Sequence, residues 1–193
     1  MKRIAFFISG TGGNALNLLR ACREGRVGGL PVLGLASTPK AGGLERLAEE
    51  GLATAVVIRA QYESDEAFSQ ACYREAEAKG ADIICLCGWL KKLTVPTRWQ
   101  GRILNIHPGL LPQYGGPGMY GMHVHRAVLA AGDGESGVTV HLVDGEYDHG
   151  QVLAQLPVLV LPGDTPEDLQ RRVYAAEMEL YPRALAAYLA EGA

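Results

Sequence analysis

An asparagine and a histidine one residue apart, Asn105 and His107, stand where an apolar run meets a proline in Ile103-Leu104-Asn105-Ile106-His107-Pro108-Gly109-Leu110-Leu111-Pro112. Residues 102–106 read as a short strand, which Pro108 cannot extend inside a sheet. The two-residue period of a strand puts both side chains on one side, at the strand end. A side-chain amide offers N–H donors, and an imidazole can give or take a proton near neutrality. Together they suit the stabilisation of an oxyanion on a carbonyl under attack. Taken alone, the same residues could equally close a strand with a polar turn.

A second cluster has the composition of an anion grip. The apolar strand Arg3–Ile8 runs into Ser9-Gly10-Thr11-Gly12-Gly13-Asn14, and a helix follows with Ala15, Leu18, Leu19 and Cys22 at helical spacing. Strand, glycine-rich turn and helix aim free backbone N–H groups at a phosphate, and Asn14 adds a side-chain donor. The spacing is neither that of a dinucleotide fingerprint nor that of a P-loop. A third stretch, Gly88-Trp89-Leu90-Lys91-Lys92-Leu93, leaves another apolar strand and could wall a pocket for a ring. It could as well be a core-anchored loop with solvated lysines.

The elements that must position these groups alternate. Strands read at 31–36, 53–58 and 82–87, with helices at 42–50, ended by Gly51, and from Ser64, a cap, to Gly80. Such alternation implies a parallel, doubly wound α/β sheet with right-handed crossovers. The glycine-rich segment 113–122 follows the Asn-x-His strand and could close over a site. His123 and His125 open a helix with the stripe Val124, Ala127, Val128 and Ala131, and read as surface or capping histidines. Residues 137–143 alternate cleanly, with Val138, Val140 and Leu142 on one face and Thr139, His141 and Val143 on the other. An acidic loop, Asp144 to Gln151, leads to a last strand at 152–160, which Pro157 assigns to the sheet edge. Thr165-Pro166-Glu167-Asp168 starts a long final helix with Leu169, Val173, Ala176, Leu180 and Ala187 inward.

The chain has 193 residues, 48% of them hydrophobic, which suffices for one well-buried domain. Net charge is −3, with Lys and Arg scattered, so the basic stripe of a nucleic-acid binder is missing. Cys22, Cys72, Cys85 and Cys87 contain no Cys-x-x-Cys pair and read as reduced core residues of a cytoplasmic protein. The chain enters a strand at once, so no signal peptide is expected, and no apolar run reaches transmembrane length. No spacing supports a metal site. No pattern fixes an oligomeric state.

Three separated segments resemble the phosphoribosylglycinamide formyltransferase family, the folate-dependent enzymes of purine biosynthesis. They are Ile8 to Asn14, then Leu104 to Pro112, then Val138-Thr139-Val140-His141 with Asp148-His149-Gly150-Gln151. The resemblance spans essentially the whole chain. It implies a single formyltransferase domain over 1–193 with a Rossmann-like, mostly parallel sheet, an antiparallel C-terminal strand and a long C-terminal helix. Residues 1–100 would form the nucleotide-phosphate half and 101–193 the catalytic and folate-binding half. It further implies that Asn105, His107 and Asp148 are catalytic, and that Gly12, Gly13, Asn14 and Glu177 bind phosphoribosylglycinamide. Leu90, Lys91, Lys92, Leu93, Asn105, Val143 and Asp144 would bind 10-formyltetrahydrofolate, the co-substrate, with no metal. Asp148 would hold His107 protonated. The other partners expected are small molecules alone, neither nucleic acid nor membrane.

The chain departs from the family pattern in places. Asp65 stands where Arg is common and Lys91 where Arg is usual, which keeps charge but loses the bidentate fork. Gly109 replaces a frequent Ser, and Gly115 to Gly121 is longer than in many members. Methionyl-tRNA formyltransferase and formyltetrahydrofolate hydrolase share the triad but carry an additional domain that this chain is expected to lack. A non-catalytic nucleotide-binding module would account for the glycine loop, but not for the joint occurrence of Asn105, His107 and Asp148.

Overall fold

The computed structural model describes residues 1–192. Seven strands form one sheet: β1 (Lys2–Ile8), β2 (Gly29–Ala36), β3 (Thr54–Val56), β4 (Ile83–Leu86), β5 (Ile103–His107), β6 (Glu135–Leu142) and β7 (Val152–Leu159). Five helices connect or cover them: α1 (Gly13–Arg23), α2 (Gly43–Glu49), α3 (Asp65–Ala78), α4 (Met122–Ala131) and α5 (Pro166–Ala190). The strand order is β3-β2-β1-β4-β5-β6-β7. The first five pair in parallel, β6 pairs antiparallel with β5, and β7 antiparallel with β6. The doubly wound sheet, the antiparallel pairing of its last strand and its long last helix are therefore as expected. The strand that reverses direction is β6.

The central strands alternate between two cores. Ile4, Phe6 and Ile8 of β1 pack with α1, α4 and α5, whereas Ala5 and Phe7 pack with α3, Trp89 and Trp99. All five β1 residues are fully buried, and each large apolar side chain among them contributes about 1.5–3 kcal/mol by burial. β3 is shorter than 53–58 because it is an edge strand with a single partner, β2. Ser64 caps α3 by accepting the Ala67 N–H at 3.1 Å. Thr165 and Asp168 form a reciprocal capping box at α5, with Pro166 in its first turn.

Helix α5 carries Pro182 in its interior. Proline has no N–H for the carbonyl four residues earlier, that of Met178. The Asn17 side-chain amide donates to that carbonyl at 2.8 Å, so the lost bond is replaced from α1. The Tyr181 hydroxyl lies 3.1 Å from the carbonyls of both Leu86 and Leu104 and fastens the helix over the ends of β4 and β5. Past this point the buried stripe runs through Ala184 and Leu185, and Ala187, expected inward, is exposed.

Candidate active site

The strand order reverses between β1 and β4, and the crevice beyond the carboxyl ends of such strands is where open α/β sheets hold ligands. A cleft of about 470 Å³ lies there. It is lined by Asn14 after β1, Leu90 to Leu93 after β4, Asn105 and His107 at the end of β5, and Val143 and Asp148 after β6. Glu177 closes one side from α5. Gly12, Gly13 and Asp144 fall outside this lining.

At one end, Asn14 is buried in the first turn of α1, and its Nδ2 donates to Glu177 Oε2 at 2.7 Å. Gly12 adopts φ 69°, where a β-carbon is disfavoured, and it packs against Gly43 at the start of α2. A β-carbon at Gly13 would meet the Tyr174 hydroxyl at 2.0 Å, the tip of an exposed side chain that can swing aside, so the firmer constraint of the turn is the backbone contact at Gly12. Burial pushes the Glu177 carboxyl up to about 7 against the opposing pull of the Asn14 amide.

At the other end, Trp89 and Leu93 are buried, with Trp89 stacked on Phe68 at 5.9 Å, while Leu90, Lys91 and Lys92 are exposed. The core-anchored loop and the pocket wall are thus one structure. Arg59, from a single 3₁₀ turn, pairs with Asp65 at 2.7 Å, so a cation stands beside the N-terminus of α3 although the helix itself begins with an acid. Asp144 accepts from His149 Nδ1 at 2.7 Å and from the Glu146 N–H at 3.0 Å, contacts that brace the loop leading to Asp148.

Between the two ends, Asn105, His107 and Asp148 converge. His107 is 3% exposed, and its Nδ1 lies 3.5 Å from Asp148 Oδ2. Its Nε2 donates to the Tyr114 carbonyl at 2.9 Å. Neutral His107 therefore carries its proton on Nε2 and turns a bare Nδ1 to Asp148. Asp148 has φ 55°, and its Oδ2 accepts the Gly116 N–H at 2.9 Å. Gly150 must be glycine, since a β-carbon there would meet the Leu142 carbonyl oxygen at 1.9 Å. The Asp-x-Gly spacing thus lets the loop fold back on β6. The 113–122 segment is fixed at this centre through Tyr114 and Gly116.

Burial lowers the His107 pKa more than Asp148 and the Tyr114 carbonyl raise it, so the net shift is downward. This corrects the expectation that Asp148 holds His107 protonated: desolvation of the imidazolium is the larger effect. Burial raises the Asp148 carboxyl, but His141, His107 and the Gly116 amide outweigh it, and the net direction is down. A neutral imidazole thus faces a carboxylate.

His125 is a second correction. It is 2% exposed, lines the cleft, has no partner for Nδ1, and burial pushes its pKa down to about 4. The buried stripe of α4 is Val124, His125 and Val128, because the helix packs that face against α5 and β6 rather than turning it to solvent. His141 and Tyr174 also line the cleft, and the motifs assigned neither of them a role. The one available signal for His141 was a polar residue on a strand buried on both faces. Among the described residues no group of three or more His, Cys, Asp or Glu could hold a metal ion.

A glycine-rich turn stands beside the crevice and an asparagine–imidazole–carboxylate centre lines it, and comparison gives the class of the protein. Residues 2–185 match the family described as Formyl transferase, and the chain belongs to that family. It is 35% identical to the phosphoribosylglycinamide formyltransferase of Escherichia coli strain K12, over 98% of this chain and 87% of that protein. It is 40% identical to the trifunctional purine biosynthetic protein adenosine-3 of Drosophila pseudoobscura pseudoobscura over its whole length, but spans only 14% of that longer protein. The crystal structure of glycinamide ribonucleotide transformylase 1 from Symbiobacterium toebii superposes with a TM-score of 0.92 at 39% identity, covering 100% of this chain and 89% of that one.

Proposed function

We infer that this protein transfers the formyl group of 10-formyltetrahydrofolate to the amine of 5′-phosphoribosylglycinamide, a step of purine nucleotide synthesis in the cytoplasm. The observation that carries the reading is one cleft with Asn14 and Glu177 at one end, the Leu90–Leu93 wall at the other, and Asn105, His107 and Asp148 between them. The domain spans 1–193. Residues 1–100 grip the phosphate and 101–193 supply the reacting groups, while Leu90–Leu93 and Glu177 cross that division.

In this reading the N–H groups of Gly12, Gly13 and Asn14 receive the phosphate, and Glu177 accepts from the ribose hydroxyls. Leu90, Leu93 and Val143 flank the pterin, Lys91 and Lys92 face the acidic tail, and Asp144 braces the loop. Phosphate binding remote from the reacting carbon holds the amine in line. The amine attacks the formyl carbon, a C–N bond forms, and the carbonyl oxygen becomes an oxyanion that Asn105 receives as a hydrogen-bond donor. The proton leaving the amine passes to His107 Nδ1, directly or through a water held by Asp148. The imidazolium then exists only while the oxyanion does, paired with Asp148. That proton next goes to N10 of the folate as the C–N10 bond breaks, and neutral His107 is regenerated. Starting from the neutral imidazole is what lets His107 act first as a base.

Mixing the protein with both substrates and following product folate by absorbance tests the reading. Folate release that depends on the ribonucleotide supports it. Formate release without the ribonucleotide would mark a hydrolase instead, and binding of the ribonucleotide without folate turnover would mark a binding module.

A further inference from the structure

The amide of Asn105 can turn by 180° and exchange its oxygen for its nitrogen at almost no steric cost. Only one orientation puts donors where an oxyanion develops. β5 and β6 place Asn105 directly opposite His141 in the antiparallel register. His141 is 1% exposed, and its Nδ1 donates to the Leu142 carbonyl at 2.9 Å. A carbonyl only accepts, so Nδ1 carries a proton, and in the neutral ring Nε2 is a bare lone pair. The Asn105 Nδ2 lies 3.1 Å from that Nε2. Asp148 Oδ1 is 3.6 Å from the same Nε2. A flipped amide would bring its oxygen up to that lone pair, and two acceptors would meet at about the same distance without a proton between them. The amide lies the other way, with its NH₂ end on the His141 nitrogen that itself lies 3.6 Å from Asp148.

We propose that His141 is a positioning residue for formyl transfer: the Leu142 carbonyl fixes its tautomer, and its Nε2 holds the Asn105 amide with the NH₂ group toward the reaction centre. One Asn105 N–H is spent on His141, and the second belongs to the oxyanion. His141 needs no contact with either substrate. The proposal rests on the reading of Asn105 as the oxyanion donor, and the test separates the two.

The test is a double-mutant cycle on turnover at saturating substrates, using Asn105→Ala, His141→Asn and the double variant. His141→Asn keeps a polar group near the Leu142 carbonyl but does not reach the Nε2 position, whereas His141→Gln places an amide oxygen there. We expect His141→Asn to lower kcat about 10- to 100-fold, within the effect of losing one oxyanion donor, with the ribonucleotide Kd unchanged by calorimetry. His141→Gln should recover most of that loss. In the Asn105→Ala background, His141→Asn should cost less than about threefold, because its target is gone. Losses that multiply overturn the proposal while leaving Asn105 its role. Coupling to Asp148→Asn instead of Asn105→Ala also overturns it, since His141 would then act on the carboxylate. Wild-type turnover in Asn105→Ala would remove the underlying reading itself. Should a His141 variant fail to fold, long-range ¹H–¹⁵N correlation of the wild-type ring at the assay pH decides: a proton on Nδ1 and none on Nε2 is expected, and a protonated Nε2 overturns the assignment.

Discussion

Asn14 and Glu177 are separated by 163 positions in the chain and joined by a 2.7 Å hydrogen bond from the Asn14 amide to Glu177 Oε2. This contact ties the turn after β1 to the last helix and closes one end of the cleft. It also leaves a carboxyl group, partly buried beside the cleft, whose pKa is pushed up to about 7 by burial. The folded protein therefore binds this proton more tightly than the unfolded chain. The associated stability is fully present below the unfolded value of 4.5 and is lost as pH rises through about 7. Glu177→Gln mimics the protonated form and should flatten that window. At pH 8 we expect the variant to be more stable than wild type by on the order of 1–3 kcal/mol, less where water in the cleft screens the charge. Melting temperatures from pH 5 to 8 measure this, and parallel curves for the two proteins would contradict it.

Asp148→Asn keeps the shape of the loop and removes the charge that faces His107 and His141. Turnover should fall by about two to four decades, the range for losing a positioned acid–base group, with little change in ribonucleotide Kd. The His107 pKa, already lowered by burial, should drop further, because Asp148 is the largest influence raising it. An NMR titration of the ring in both proteins reads that shift. Asp144→Asn is the control: its carboxylate is engaged with His149 and the Glu146 N–H, so turnover should be largely retained. A reversed outcome, with Asp144 essential and Asp148 dispensable, would mean that the wrong carboxylate has been assigned.

His125 predicts an acid limit to stability. Its pKa is pushed down from 6.5 to about 4, so the unfolded chain takes up a proton that the folded protein refuses. The stabilisation is present above 6.5 and is lost as pH falls through about 4. His125→Gln should reduce the slope of stability against pH between those values, by about one proton at most. Urea unfolding at several pH values would show the change in slope, and an unchanged slope would place the acid limit elsewhere.

Lys91 is exposed at the rim of the cleft, beside the buried Trp89. If that rim faces the folate tail, Lys91→Ala should raise the folate KM severalfold while kcat changes less than about twofold, the pattern of lost uniform binding. An increase confined to the ribonucleotide KM would exchange the two ends of the cleft.

The sequence alone determined the architecture and named most of the residues that line the cleft. Alternating apolar runs and helical stripes specified a doubly wound sheet, because strand and helix periods are local properties of the chain. Capping residues such as Ser64 and Thr165 marked their helices for the same reason, since a cap acts within three or four positions. The Asn-x-His-Pro run, the glycine turn and the Asp-x-Gly loop were legible as motifs, and backbone contacts at Gly12 and Gly150 leave few alternatives to glycine there.

The tertiary structure decided what depends on contacts between distant segments. Nothing local says that α4 turns His125 inward, that Arg59 meets Asp65, or that β6 lays His141 against Asn105. The protonation of His107 is the clearest case. The motif contains an acid and an imidazole and suggests a charged pair, but the net direction depends on how much water the assembled fold removes from the ring. That quantity exists only once α4, β5, β6 and the 113–122 segment have closed around it, and in this protein it exceeds the pull of Asp148.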